Sequence, residues 1–547
     1  MALFATILTL PLFFAADFPP FEENKINYLI SKNKLDDVLT CFGDKKNSSI
    51  PPNLLQPLCY KILENSVRSD DKSEVILALY GIQCSLDDNA FYLLEEAIRS
   101  PTPEIQLTAV QVAGTFNSSA SYHLLKEALT SNWLIIRLEA LSLIASHKQL
   151  EHHLEAELSK VDPEVRSFFP ELLALDGSEQ SRKTLQRLAH DSDFEVRLQA
   201  IRALSRSMPE ELYKQAKYFS HELHPACQEA LVDAFLSSRD DKVSAIASQL
   251  STSSFTRLIE AFHKSNDSFI EEEAKKDNLY AIRLLGKLKS SKASHKTLLY
   301  EKIGKQDLQV AANAAVALLE LKDPYCLKMI PQLLVKDAKG LHIQTISSPG
   351  KVLEIIKVVP SCHEQFKNQP WMWSICQEVR SELLTLALEL PEDEFLELAR
   401  FLFETEQNEL ILQLTRLLSN LRSEKAIELL QEESNHLGSP FIRTAANIVL
   451  FRMGQYESSE NALYDWISKS STHSVMQLEP LLPWNLRNEK SRYNLTSEER
   501  SNLLVDAYDA TAKSHKDKTV KALLQALQKG NPKNRPLIAG LLLQASN

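Results

Sequence analysis

The stretch TLQRLAHDSDFEVRLQAIRAL, residues 184–204, predicts two short helices joined by a tight turn. Apolar residues recur at spacings of three and four in each half, which gives each helix one apolar stripe. The stripes consist of Leu185, Leu188 and Ala189 in the first half and Val196, Ala200, Ile201 and Leu204 in the second. The polar run between them favours a turn, because short polar side chains bond nearby backbone groups, and Asp193 is placed to cap the second helix. Neither helix can bury its stripe alone, so the stretch predicts a helix pair that stacks on similar neighbours.

Segments similar to this second helix recur at a nearly constant spacing. They are EIQLTAV (104–110), IIRLEAL (135–141), EVRSFFP (164–170), EVRLQAI (195–201) and PACQEAL (225–231). Their second residues, from Ile105 to Ala226, lie 29 to 31 residues apart. Alanines at one register, Ala109, Ala140 and Ala200, favour close approach of adjacent helices. A period of this length is typical of stacked helix pairs.

The second helices also share a motif, which Val196-Arg197-Leu198-Gln199-Ala200 contains in full. Its arginine recurs in equivalent segments, and the set comprises Arg137, Arg166, Arg197 and Arg443. The motif resembles that of HEAT repeats, specifically the short kind found in phycobilisome lyases. The resemblance implies that each arginine pairs with an acidic residue of a turn, in a ladder along the stack. It also implies a broken ladder where Gln106 and Cys227 replace the arginine.

Length and composition agree with a repeat array. The chain has 547 residues, far more than a single core of roughly 250–300 residues accommodates. Only 12 residues are glycine and 7% are aromatic, a profile that favours helices over strands and tight turns. We therefore predict an all-α fold, an α-solenoid of stacked antiparallel helix pairs forming a HEAT-like superhelix.

The sequence predicts a chain organised in seven segments. They are a signal peptide (1–16), an N-terminal helical region (17–88), a HEAT-like repeat array (89–335), an irregular insertion or linker (336–369), a second helical repeat arm (370–469), a linker (470–494) and a C-terminal helical cap (495–547). The insertion contains Ser347-Ser348-Pro349-Gly350 and a β-branched run, residues 352–359, which is either a strand or a buried helix. In the last segment, Thr496-Ser497-Glu498-Glu499 predicts a capping box.

The first sixteen residues favour export. Ala2 to Ala16 carries no charge and is shorter than the roughly 20 residues that span a bilayer, as is typical of a signal peptide. We predict a periplasmic or secreted bacterial protein; the alternative is a buried first helix and a cytoplasmic location. No other stretch of this kind occurs, so no transmembrane span is expected.

The sequence lacks the usual catalytic and metal-binding motifs. No two glycines lie closer than ten residues, which rules out the usual glycine-rich phosphate loops and the G-x-S-x-G elbow. The seven cysteines are scattered without a C-x-x-C pair, which favours buried fillers. We predict no catalytic residue, no cofactor and no metal site. The pairs His221-Glu222 and His363-Glu364 keep open the alternative of a HEAT-type lyase or metal-dependent hydroxylase subunit.

Two charged stretches are candidate partner-binding surfaces. One is acidic and includes Glu392, Asp393, Glu394 and Glu397. The other is basic and includes Lys513, Lys516, Lys518 and Lys521, with Asp517 as the only acid nearby in sequence. The net charge of −11 argues against nucleic acid as a partner, although the lysines leave that alternative open. We therefore predict a scaffold that binds one or more proteins on the surface formed by its second helices.

Overall fold

Antiparallel helix pairs follow one another along nearly all of the chain that the computed structural model describes. The described residues are 20–43, 51–116, 118–147, 163–288, 292–335, 341–360, 370–436, 438–476, 495–514 and 517–546. Within them the chain is an all-α solenoid of stacked helix pairs with one inserted β-hairpin, so the predicted fold class is confirmed. The predicted signal peptide, residues 1–16, lies outside these ranges. Among the described residues no helix is both long and apolar enough to cross a membrane.

The described elements are numbered here in chain order. The first helices are α1 (Pro20–Ser31), α2 (Leu35–Gly43), α3 (Pro52–Val67), α4 (Lys72–Ser85), α5 (Tyr92–Ile98), α6 (Pro103–Thr115), α7 (Ser119–Ala128) and α8 (Leu134–Ser146). Next come α9 (Pro163–Arg166), α10 (Phe169–Asp176), α11 (Glu179–Leu188), α12 (Phe194–Ser207), α13 (Pro209–Lys214), α14 (Pro225–Leu236), α15 (Asp241–Leu250), α16 (Ser254–His263), α17 (Asp267–Lys275), α18 (Leu279–Lys287), α19 (Ala293–Ile303), α20 (Leu308–Glu320) and α21 (Ile330–Leu334). After strands β1 (Leu341–Ser347) and β2 (Glu354–Pro360) follow α22 (Pro370–Ala387), α23 (Glu392–Glu404), α24 (Asn408–Leu421), α25 (Glu424–Ser434), α26 (Pro440–Arg452), α27 (Tyr456–Ser470), α28 (Ser497–Ala512), α29 (Asp517–Lys529) and α30 (Arg535–Ser546).

The helix pair predicted from residues 184–204 forms as expected. Helix α11 ends at Leu188, and α12 begins at Phe194 after a turn of polar residues. The Asp193 carboxylate accepts hydrogen bonds from the backbone N–H groups of Glu195 (2.8 Å) and Val196 (3.2 Å), so Asp193 caps α12. The predicted capping box at Thr496 and Glu499 is likewise present at the start of α28. Local sequence signals were sufficient to predict both caps, because caps and turns depend on residues that are close together in the sequence.

The described chain divides into two compact units. The terminal unit comprises the described residues within 1–136 and 451–547, and the central unit comprises those within 137–450. In the terminal unit, α30 near the C-terminus packs against α3 and α4 near the N-terminus. Helix α29 also packs against α2. The predicted C-terminal helical cap therefore shares a core with the N-terminal helical region.

Two glycines allow α4 and α30 to approach closely. A methyl group added at Gly540 in α30 would lie 2.6 Å from the Cα atom of Gly81 in α4 and closer still to the Gly81 carbonyl oxygen. A side chain at either position would therefore hold the two helices apart. Ion pairs flank this contact, since Lys533 Nζ lies 2.8 Å from the Asp71 carboxylate and Arg535 Nη2 lies 2.8 Å from that of Asp36.

The central unit contains the repeat array and the hairpin. Helices α12 and α14 pack side by side, as do α18 and α20, so second helices line one surface of successive pairs. Strands β1 and β2 pair antiparallel, with Ile343 opposite Val358 and Thr345 opposite Ile356. The β-branched run in the insertion is thus a strand, one of the two alternatives that its pattern allowed. The hairpin belongs to the central unit, which continues through α26 to residue 450.

Candidate protein-binding surface

The hairpin, residues 341–360, lies against the second helices of the central unit. Strand β2 packs on α18 and α20, and the tip of the hairpin reaches α12 and α14. We call the five side chains that bind it the hairpin-binding surface; they are Arg202, Glu229, Arg283, Gln309 and Asn313. This is the face on which the sequence predicts partner proteins to dock.

Two carboxamides of α20 bind the outer edge of β2. Asn313 Nδ2 donates to the carbonyl oxygen of Ile356 (2.7 Å), and Asn313 Oδ1 accepts from the backbone N–H of Ile356 (2.8 Å). Gln309 repeats this arrangement two residues further along, since its Oε1 accepts from the N–H of Val358 (2.9 Å) and its Nε2 donates to the Val358 carbonyl. Each amide thus takes the place that a neighbouring strand would occupy.

A third side chain, that of Arg283 in α18, binds the same edge of β2. Arg283 Nε donates to the carbonyl oxygen of Glu354 (3.2 Å), and its Nη2 lies 3.0 Å from the carboxylate of Glu320 in α20. The Arg283 side chain is buried, and burial lowers the pKa of its guanidinium while the Glu320 carboxylate opposes that change. The pair therefore holds a buried cation against the backbone of β2.

The hairpin tip is bound by two charged side chains. The backbone N–H of Gly350 donates to the Glu229 carboxylate (2.7 Å), and its carbonyl oxygen accepts from Arg202 Nε (3.1 Å). A methyl group at Gly350 would lie 2.7 Å from Glu229 Cβ, so glycine permits the close approach. Burial raises the pKa of Glu229 above its ordinary value, and the hydrogen bond from Gly350 opposes that rise.

The hydrogen bonds from these side chains to the hairpin end mainly on its backbone groups, and the Glu229 carboxylate also accepts one from the Ser348 side chain. Arg283, Asn313 and Gln309 contact the peptide groups of alternate β2 residues rather than their side chains. Recognition through peptide groups depends on an extended backbone and little on sequence. The surface has the chemistry to bind an extended polypeptide.

The predicted acidic surface is placed on α23 and is partly neutralised. Glu392, Asp393, Glu394 and Glu397 all lie in its first two turns. Asp393 lies 2.6 Å from Lys425 Nζ, so a lysine distant in sequence balances it. Among the described residues neither Glu394 nor Glu397 forms an ion pair.

The predicted basic surface is also partly neutralised, by one acid on the same helix and one that is remote in the sequence. Lys513 Nζ lies 2.8 Å from Asp509, and Lys518 Nζ lies 3.0 Å from Glu460. Lys521 is exposed on α29, and Lys516 lies outside the described residues. The structure thus brings Lys518 and Lys521 to one helix face and gives Lys513 a partner on its own helix.

The repeat arginines occupy positions beside the turns. Arg197 Nη1 donates to the carbonyl oxygens of Asp191 (2.8 Å) and Ser192 (3.0 Å), and its Nε lies 3.2 Å from the carboxylate of Glu222 in the next repeat. Arg443 Nη1 similarly donates to the carbonyl of His436 (3.4 Å). Arg137 and Arg166 are exposed to an intermediate degree.

At Gln106 an uncharged side chain makes the contacts between successive repeats that the arginine makes elsewhere. Gln106 Nε2 donates to the carbonyl of Ile98 (2.6 Å), and its Oε1 accepts from Ser131 Oγ (2.9 Å) in the next repeat. At Cys227 the thiol donates a long hydrogen bond to the Phe194 carbonyl oxygen (3.8 Å) and also contacts Arg197. The ladder implied by the resemblance is therefore replaced by neutral hydrogen bonds at one of the two altered repeats.

The first His-Glu pair has a structural explanation in the same ladder. Glu222 is the partner of Arg197, and its carboxylate also accepts from the backbone N–H of His224 (2.8 Å). The second pair, His363-Glu364, lies outside the described residues. Within the part of the chain that the structure describes, no group of histidine, cysteine, aspartate or glutamate side chains is arranged to hold a metal ion.

The sequence contained a signal for the hairpin-binding surface that the prediction did not use. Helix α20 is almost wholly apolar, yet it contains Gln309 and Asn313 one turn apart, and Asn313 is fully buried. Glu229 is a buried carboxylate in the equally apolar α14. Buried polar side chains require partners, so these positions indicated an additional segment packed against the second helices.

Comparison with protein families agrees with the repeat structure. Residues 151–251 match a family model described as HEAT repeats, and this range includes helices α9 to α15. The chain is thus an α-solenoid of helix pairs, and residues 151–251 of it are similar to HEAT repeats. No curated protein matches the chain.

Several solved structures show a general likeness to the chain. Yeast importin-beta (Kap95p) is 13% identical, with 93% of this chain and 68% of that chain covered and a TM-score of 0.29. The UNC-45 chaperone, which binds and folds muscle myosin, is 11% identical, with coverages of 90% and 59% and a TM-score of 0.22. An engineered protein is 16% identical, with coverages of 71% and 97% and a TM-score of 0.22. With TM-scores this low, none of them supports an inference about partners.

Proposed function

We propose that this chain is a protein-binding scaffold whose hairpin-binding surface takes up extended segments of partner proteins. A HEAT-repeat solenoid is typical of such scaffolds. The observation that carries the proposal is the bonding of β2 by Gln309 and Asn313, each of which satisfies both peptide groups of one β2 residue. The hairpin of the same chain covers this surface in the structure, and an extended strand of a partner protein displaces it on binding.

The hydrogen bonds at β2 allow one strand to be replaced by another, because they contact the backbone and do not select a sequence. The exposed side chains of β2, those of Glu354 and Lys357, take no part in binding to Gln309 and Asn313. Each hydrogen bond contributes about 1 kcal/mol net, so four of them give a useful but reversible interaction. A second strand of similar backbone geometry would satisfy the same groups.

The experiment removes the hairpin and supplies its strand in solution. Residues 341–360 are replaced by a short Gly-Ser linker, and binding of a labelled peptide with the sequence 354–360 is measured by fluorescence anisotropy. We expect binding, and we expect a peptide with serine in place of Glu354 and Lys357 to bind equally well. A peptide N-methylated at Ile356 and Val358 should bind at least about tenfold more weakly, because it lacks both N–H donors.

The matched variant carries Gln309→Ala and Asn313→Ala in the hairpin-deleted chain. It should lose the peptide while retaining its helical circular dichroism spectrum. The proposal is wrong if the hairpin-deleted chain is folded and binds none of the peptides. Cross-linking from the intact chain in its native cells, followed by mass spectrometry, would then identify the physiological partners.

We also propose that the scaffold acts outside the cytoplasm of a bacterial cell. The uncharged stretch Ala2–Ala16 supports this part of the proposal. Mass spectrometry of the N-terminus of protein purified from its native cells tests it. A mature N-terminus close to Asp17 is expected, whereas a chain that retains residues 1–16 would contradict export.

A further inference from the structure

The tip of the hairpin is a four-residue turn, Ser348-Pro349-Gly350-Lys351. The backbone N–H of Lys351 donates to the carbonyl oxygen of Ser348 (2.7 Å), which is the hydrogen bond that closes a β-turn. Ser348 and Gly350 are buried, whereas Pro349 and Lys351 are exposed. The turn therefore presents two of its four residues to the solenoid.

Two side chains, which we call the tip site, hold this turn from α12 and α14; they are Arg202 and Glu229. The N–H of Gly350 donates to the Glu229 carboxylate (2.7 Å), and the Gly350 carbonyl oxygen accepts from Arg202 Nε (3.1 Å). Arg202 Nη2 also donates to the carbonyl oxygen of Pro349 (3.4 Å). These bonds position the turn through backbone groups, so any selection of sequence must come from the space and the chemistry around them.

The space at the tip site admits only glycine at the third position of the turn. A Cβ atom on Gly350 would lie 2.7 Å from the Cβ atom of Glu229. The Glu229 Cβ is attached directly to the backbone of α14 and cannot rotate away, so a side chain would push the tip off the surface. The φ angle of Gly350 lies outside the left-handed region, so the turn itself does not require glycine. The tightest constraint comes from the docking contact.

The hydroxyl group of Ser348 adds a second element of selection. The Glu229 carboxylate accepts a hydrogen bond from this side chain in addition to the one from Gly350. The hydroxyl oxygen also accepts from the backbone N–H of Val352 (3.2 Å), so the group acts as both donor and acceptor. Ser348 is only 2% exposed. A residue without a hydroxyl would deprive a buried carboxylate of one donor and weaken the contact.

We infer that the partner segment that displaces the hairpin is itself a β-hairpin with a Ser-x-Gly turn, and that Arg202 and Glu229 determine this specificity. The inference rests on the proposed function, because it names the class of segment that the hairpin-binding surface selects. Gln309 and Asn313 accept a strand of any sequence, whereas the tip site requires a glycine and a hydroxyl donor. The middle residue of the turn is not selected, because the tip site binds only its carbonyl oxygen.

The experiment uses a labelled peptide with the sequence 341–360, closed by a disulfide between cysteines added at its ends. The receptor is the full chain carrying Gly350→Ala, in which the clash with Glu229 weakens the hold on the chain's own hairpin. Fluorescence anisotropy should show binding to this receptor. Binding to the unaltered chain should be about tenfold weaker, because its own hairpin occupies the surface more firmly.

Three altered probes measure the selection. A Gly350→Ala probe should bind the same receptor at least about tenfold more weakly, because its methyl group meets Glu229. A Ser348→Ala probe should bind about fivefold more weakly, because the carboxylate loses a donor. A Lys351→Asn probe is the control and should bind equally well, since this side chain is exposed and asparagine tolerates its left-handed backbone (φ 53°).

Glu229→Met in the receptor tests the residue that selects. Methionine keeps the Cβ atom and an unbranched chain but lacks the carboxylate. The receptor should therefore lose its preference for the serine probe over the alanine probe and retain its preference for glycine. A general loss of stability would instead weaken all probes by the same factor. Glu272→Met, at an exposed glutamate of α17 in the same unit, is the matched control and should retain both preferences.

Equal affinity of the original, Ser348→Ala and Gly350→Ala probes would overturn the inference. The linear β2 peptide and the hairpin-deleted chain separate this result from a failure of the proposed function. If that peptide binds, selection at the tip is wrong and the proposed function stands; if neither peptide nor probe binds, both are wrong. Dimerisation of the unaltered chain through exchange of hairpins, abolished by Gly350→Ala, would also overturn the inference, because a second copy would be the occupant.

Discussion

The contact between α4 and α30 predicts a large effect from a very small change, Gly540→Ala. The added methyl group would lie 2.6 Å from Gly81 Cα, whereas carbon atoms pack at roughly 3.5–4.0 Å. The two helices must therefore separate by about 1 Å, because the opposing atoms belong to the backbone and cannot rotate away. Overpacking of this kind usually destabilises by about 1–3 kcal/mol, and a clash with backbone falls in the upper part of that range.

Thermal unfolding and hydrogen exchange measure this effect. A loss of about 2–3 kcal/mol lowers the melting temperature of a unit of roughly 200 residues by about 4–12 °C. Exchange should increase in peptides from α4 and α30 and remain unchanged in those from the central unit. Gly304→Ala is the control, because its nearest atom outside the chain neighbours, the Glu301 carbonyl oxygen, would lie at an ordinary 3.5 Å. Unchanged exchange in α4 and α30 of the Gly540→Ala protein would refute the reasoning.

Three further substitutions test other features. Asp193→Ala should cost about 1 kcal/mol in urea denaturation, because two N–H groups of α12 lose their cap; an unchanged midpoint would contradict the capping role. Arg197→Met should cost about 1–2 kcal/mol by leaving Glu222 without its partner, and adding Glu222→Gln should recover part of that loss. Glu229→Gln keeps an acceptor for Gly350 but cannot ionise. Because the pKa of Glu229 is raised in the folded protein, the unaltered chain should lose stability relative to this variant as the pH rises above the ordinary value of 4.5, and the two should converge below it. Parallel stability curves across that range would show that the Glu229 pKa is not raised.

Local features of the fold were predictable from the sequence. The helix pair around Asp193, the capping box at Thr496 and the arginine beside the turn all depend on residues within a few positions of one another. Stacking of the pairs also followed, because a regular apolar stripe with no other partner must be buried by a neighbouring repeat. The period of about thirty residues therefore sufficed to predict the architecture.

Contacts between distant residues could not be predicted in the same way. Gly81 and Gly540 both interrupt apolar helices, and a glycine there indicates a close approach without naming the partner. Lys518 appeared unbalanced because its partner, Glu460, lies 58 residues earlier in the chain. Which distant residues pair is decided by how the helices pack, and the local sequence pattern does not encode that packing.

The hairpin also changes how the central unit is expected to unfold. An ordinary repeat array has contacts between neighbours only, so it can open repeat by repeat from either end. Here Gly350 is bonded to Arg202 and Glu229, at sequence separations of 148 and 121 residues, while Ile356 is bonded to Asn313 across 43. Opening any repeat that contains α12, α14, α18 or α20 breaks bonds to the same hairpin. This part of the chain should therefore unfold as one cooperative block, and it should fold slowly for its helical content, because the closing contacts are so distant in sequence.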